Sequence, residues 1–190
     1  MELTAAPLTT ERCSSGPLYV RKRKGGLMDV MTIFAIQFLM SLVVWGSLAY
    51  WLLAPWLEKK SLNEALFFLT VPHAFRHIGM VFLVPGVIAG PLPETFAAPA
   101  ALGDLLTGVL AFLGLIALRN DWSVARSVVW LFSVVGTIDL VNALRQGDAW
   151  MTNFGATWYI PTMLVPLLLV TQTMIFFRLF RRTAKPSTIE

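Results

Sequence analysis

Charge is scarce in this chain. Only 14% of its 190 residues are Asp, Glu, Lys or Arg, and 56% are hydrophobic, whereas soluble domains run near ~25% charged and ~45–50% apolar. A water-soluble globule is therefore excluded. Cysteine occurs once, as Cys13, which excludes an intramolecular disulfide and a multi-cysteine metal site. In the polar run Glu11-Arg12-Cys13-Ser14-Ser15 this thiol reads as inert rather than as a lipidation site. There are two histidines, and no serine lies near either in sequence, so no Ser-His-Asp candidate exists. Walker and dinucleotide glycine patterns and the nucleophile elbow are absent as well. Residues 1–26 hold no apolar run, so no cleavable signal is expected; the run starting at Leu27 is too long for one.

The few charges are segregated. Residues 1–26 and 177–190 together hold nine Lys/Arg against three Asp/Glu, and the middle holds six against eight. The formal net charge of +4 thus belongs to two short ends. It forms no folded basic patch, so nucleic acid is not an expected partner. The layout suggests a basic tail over 1–26, a transmembrane helical domain over 27–181 and a polar tail over 182–190. The expected partner of the middle is a lipid bilayer.

A crossing of ~30 Å of hydrocarbon takes ~20 mainly apolar residues. Five stretches qualify, at about 28–53, 62–90, 101–118, 123–144 and 158–180, joined by short polar or Pro-rich connectors. The runs are unbroken rather than alternating, and an open sheet cannot satisfy its backbone in lipid, so the expected fold is all-α, a polytopic bundle. Tryptophan fits this: Trp51, Trp56, Trp122, Trp150 and Trp158 fall near span ends, where the ring prefers the interface. Trp45 and Trp130 lie deeper.

Arg21-Lys22-Arg23-Lys24, beside the first span, should hold the N-terminus in the cytoplasm. Five crossings then carry Arg178, Arg181, Arg182 and Lys185 outside, against the same rule. The second stretch offers an alternative. It is long, it contains Pro72, Gly79, Pro85, Gly86 and Gly90, and Arg76 sits at its midpoint. A kinked crossing, an interfacial helix with a short crossing, and a re-entrant hairpin all fit; the hairpin would leave four crossings and both termini inside. Five crossings are favoured because the first helix usually sets the topology.

Ionisable residues at membrane depth each cost at least ~2.5–3.5 kcal/mol on insertion scales, so each needs compensation. Asp29, Glu64 and Arg126 lie near span ends and can reach the interface; Gln37 is a weaker signal. His73, Arg76 and His77, spaced i, i+3, i+4, share one face of an α-helix. Two histidines four apart can chelate a metal ion, but Arg76 between them would repel it and no third histidine exists. No metal or cofactor is therefore expected, and a face turned into the bundle is the favoured reading. Asp104, after Pro99 and Gly103, falls in the first turn of the third span; a dipole-favoured carboxylate there and a functional one are both open, and Thr107 shares its face. Asp139 lies well inside the fourth span, with Asn142 at i+3 and Gln146 at i+7 forming a polar stripe. It must be protonated or paired, and the deep cation available to it is Arg76. In the fifth span Pro166 should kink the helix, and the Thr162 hydroxyl, one turn earlier, could bond a freed backbone group. Thr171, Gln172 and Thr173 read as interhelical glue.

Three segments carry a resemblance: His73-Ala-Phe-Arg76-His-Ile-Gly79-Met-Val-Phe-Leu-Val-Pro-Gly86 with Leu92-Pro93 through Gly103-Asp104; Gly136 through Asp139-Leu-Val-Asn142-Ala to Gln146-Gly147; and Phe154-Gly-Ala-Thr-Trp-Tyr-Ile-Pro161-Thr162 through Pro166 to Thr171. Together they resemble a group of small, uncharacterised bacterial integral membrane proteins, which implies a multi-pass protein of the inner (plasma) membrane and no known activity. In that group a histidine often follows the threonine matching Thr171. Gln172 stands there in this chain, which weakens a metal site relying on that position.

Three functions follow, in this order. The first is a binding or accessory protein with a small intramembrane polar site drawn from His73, Arg76, His77, Asp104, Asp139, Asn142 and Thr162, holding a ligand or seating a partner subunit or second copy. The second is a proton-coupled transporter with Asp139 loading the proton and a histidine relaying it. The third is an enzyme acting on a lipid or isoprenoid, with the histidines and Asp139 as acid and base.

Overall fold

Helix boundaries follow local chemistry. A computed structural model describes residues 29–90, 92, 94–146 and 153–183. The N-terminal tail with Cys13 and Arg21-Lys22-Arg23-Lys24, the connector residues Gly147, Asp148 and Trp150, and the tail beyond Thr183 lie outside them. Helix α1 (Val30–Glu58) opens on Asp29, whose carboxylate accepts the Thr32 amide at 2.8 Å. That exposed contact, with the Thr32 hydroxyl, holds the Asp29 carboxyl below its usual range. Helix α2 (Leu62–Leu83) opens on a capping box: Glu64 N–H donates to Ser61 Oγ and Ser61 N–H to Glu64 Oε2, two otherwise orphaned donors satisfied reciprocally. Helices α3 (Glu94–Arg119) and α4 (Ala125–Arg145) follow. They are joined by a turn in which Asp121 adopts φ +50° and accepts from Asn63 Nδ2 at 2.8 Å. Helix α5 (Gly155–Arg181) completes the set.

All five are long and apolar enough to cross a membrane, and the described residues contain no strand. The second stretch is a single 22-residue helical element rather than a hairpin, but it changes character. It is α-helical over Leu62–Ala74 and 3-10 over Phe75–Leu83. Prolines act elsewhere too. The π-helical turns at Ala49–Leu53 and Ile160–Leu164 each lie just ahead of a proline, Pro55 and Pro166. A proline ring crowds the carbonyl four residues earlier and gives no N–H, and a widened turn relieves both.

Helices α2, α3 and α4 pack successively, α5 covers α2, and α1 leans on α5. Only 6% of the most apolar window of α1 is buried, against 44% for α5, so α1 is peripheral. Two apolar cores result. One joins Leu57, Leu66, Leu69, Val129, Phe132 and Ile175; the other joins Phe34, Phe82, Phe96, Ala100, Phe154 and Ile160. Along α2, α3 and α4 alike, a charged residue falls between them.

Candidate functional site

That layer is built around Arg76, which is 1% exposed. Its Nε donates to Asp104 Oδ1 at 2.7 Å, Nη2 to Asp139 Oδ2 at 2.5 Å, and Nη1 to the Gly136 carbonyl at 3.0 Å. The guanidinium, always protonated, is thus tied to α3 and α4 at once. The carboxylates keep 18% and 14% side-chain exposure. They outnumber their cation by two to one, so the cluster carries an excess of one negative charge or holds a proton. Close helix approach makes the layer possible. A Cβ at Gly79 would land on the Asp104 carboxylate, and one at Gly103 on that of Asp139, so only glycine leaves room for either acid.

Sequence expectations fare unevenly here. Arg76, Asp104 and Asp139 come together. Asp104, however, is not in a first turn: α3 begins at Glu94 and continues through Pro99, which removes one intrahelical hydrogen bond without ending the helix. The acid therefore sits in mid-helix, and the dipole explanation does not apply to it. His77 leaves the shared face. A 3-10 helix repeats every three residues, so Arg76, Gly79 and Phe82 stack inward while His77 turns outward, exposed, with Nδ1 against the Ala74 carbonyl at 3.0 Å. His73 is fully buried on another partner. The Thr171 hydroxyl donates to the Leu167 carbonyl at 2.9 Å, so the 3.0 Å contact with His73 has the ring Nε2–H donating and Thr171 Oγ1 accepting. Asn142 is exposed, and its backbone carbonyl accepts from Gln146 Nε2; the polar stripe does not continue into the cluster. Thr162 is buried but donates to the Trp158 carbonyl at 2.8 Å, within its own helix. Gln37 accepts from Trp158 Nε1, joining α1 to α5. Among the described residues no three His, Cys, Asp or Glu side chains lie close enough to hold a metal ion.

A cavity adjoins the layer. Arg76, Asp104 and Asp139 form its polar end, and Phe82, Phe96, Phe154, Ile160 and Leu168 wall it. Its volume is about 50 Å³, room for a few waters. These aromatic walls and the space that the two glycines give the acids escaped the sequence reading; nothing local marks the phenylalanines.

On the opposite side of the layer lie buried atoms with no partner among the described residues: His73 Nδ1, Thr107 Oγ1, Ser133 Oγ and both amide atoms of Gln172.

No curated protein and no solved structure matches this chain. One family model, described as a domain of unknown function (DUF8737), matches residues 33–180, a span that contains the whole charged layer and its cavity. The chain belongs to the DUF8737 family.

Proposed function

We propose that this protein is a five-crossing protein of the bacterial inner membrane that acts as a binding or accessory component, receiving a small ligand at the Asp104–Asp139 end of its cavity. The observation that carries this is the excess of carboxylate over guanidinium beside an apolar cavity. Arg76 is already engaged by three acceptors, so it serves as counter-ion rather than anion anchor. What remains on offer is acceptor capacity on the two acids, framed by phenylalanine rings that favour a cation. The fitting ligand is a protonated amine no larger than the few waters the cavity admits. Methylamine is a suitable probe. It should raise the melting temperature of the detergent-purified protein more than methanol does, and Asp139→Asn should remove the difference. Equal responses to the two compounds would sink the reading. Arg21-Lys22-Arg23-Lys24 supports a cytoplasmic N-terminus; a membrane-impermeant maleimide should then spare Cys13 in intact cells and label it after lysis.

A second reading, proton-coupled transport, is favoured by the unpartnered atoms of His73, Thr107, Ser133 and Gln172. Buried polar atoms of this kind commonly hold bridging water, which could extend a proton path beyond the charged layer. Proteoliposomes would then show proton leak that Asp139→Asn lowers; leak equal to that of empty vesicles would refute it.

A further inference from the structure

The C-terminal arginines that strain the charge rule line a second concavity, remote from the cavity above and sharing no lining residue with it. Where α1 ends against α5, Lys60, Arg178 and Arg181 surround a polar cleft of about 290 Å³ that contains a single acid, Glu58. The two arginines are held in place by uncharged partners, and Glu58 is the acid that acts on Arg178. Arg178 Nη1 donates to the Leu57 carbonyl at 3.2 Å, and the Arg181 guanidinium lies 4.2 Å from the centre of the Phe177 ring. Lys60 reaches Glu64 only at 4.0 Å. Trp51 and Trp56, at the same end of α1, are exposed, as side chains at a membrane interface are.

The floor of this cleft is apolar and it continues. Ala54, Met174 and Phe177 line both the cleft and a groove of about 380 Å³ that runs between α1 and α5 past Gly46 and Leu169. Nothing lies within 4 Å of where a Cβ on Gly46 would stand. A net-positive cleft opening into an apolar furrow matches an amphiphile with an anionic head and a hydrocarbon tail.

We infer that this is a binding site for one anionic phospholipid, its phosphate seated between Arg178, Arg181 and Lys60 and an acyl chain laid in the groove beside Gly46. The bound lipid neutralises cations at the end of α5 that topology leaves exposed, and it ties the loosely packed α1 to the bundle. This goes beyond the ligand proposed for the cavity and stands without it.

The test uses the full-length protein, delipidated in detergent and titrated with phosphatidylglycerol or phosphatidylcholine by native mass spectrometry. Phosphatidylglycerol should bind with one-to-one saturation, and Arg178→Gln/Arg181→Gln should weaken it roughly thirtyfold, given the usual contribution of each basic residue to anionic-lipid binding. Should that variant not fold, Gly46→Leu reads the same site: it fills the groove, leaves every charge in place, and should weaken phosphatidylglycerol by about tenfold, the scale of a few lost methylene contacts. Equal affinity for the zwitterionic lipid, wild-type binding by either folded variant, or inorganic phosphate competing at the lipid's own affinity overturns the proposal.

Discussion

The two apolar cores flanking Arg76 are built from different side chains, and they fill space differently. Below the charged layer, Leu66, Leu69, Val129 and Phe132 are wholly inaccessible, and small residues such as Ala65 and Ala111 let the helices close on them. Above it, Phe82, Phe96 and Phe154 pack at ring-centre distances of 5.6–5.9 Å and oblique angles, and space remains beside them. Branched aliphatics interdigitate across helix faces, whereas planar rings held at their preferred tilt prop helices apart. The charged layer is therefore sealed on one side and open on the other.

The largest perturbation should come from the layer shared by both halves. Arg76→Met strands two carboxylates beside each other, and breaking a buried pair this way costs ~3–5 kcal/mol. Thermal unfolding in detergent should show a steep loss, partly restored when Asp104→Asn and Asp139→Asn are added. If the triple variant is no more stable than the single one, the acids are not what Arg76 compensates. Next comes a direct contrast between the halves. Leu66→Ala on the sealed side should cost ~2–5 kcal/mol, because a filled site cannot collapse. Leu144→Ala, which borders the cavity and is 38% exposed, should cost less than about 1 kcal/mol. Equal losses would erase the distinction between filled and hollow. The smallest stability effect is expected from Ala143→Leu at the cavity wall. It should leave the melting temperature nearly unchanged while abolishing the response to methylamine; a wild-type response would mean that the amine binds elsewhere.

Much of the fold was legible because hydrophobic length is a local property. Each span announces itself in its own residues. That Arg76 meets Asp139 was also legible, since few deep charges exist and each must find another. Asp104 was misplaced because Pro99 looked like a helix boundary, whereas α3 runs through it from Glu94. His77 was misassigned because spacing was converted to angle at 3.6 residues per turn, while α2 tightens to three after Ala74. Asn142 and Thr162 were assigned to a site they do not reach. Asn142 is exposed, and the Thr162 hydroxyl is satisfied within its own helix.

The sequence by itself therefore determined five apolar helices, their approximate ends and the need for buried charges to be compensated, all consequences of composition along a short stretch of chain. The tertiary structure alone decided that two aspartates share one arginine, that glycines at 79 and 103 make room for them, and that one flank of the layer is hollow. Those outcomes depend on which face of one helix meets which face of another, and no run of neighbouring residues encodes the shape of a surface that comes from elsewhere in the chain.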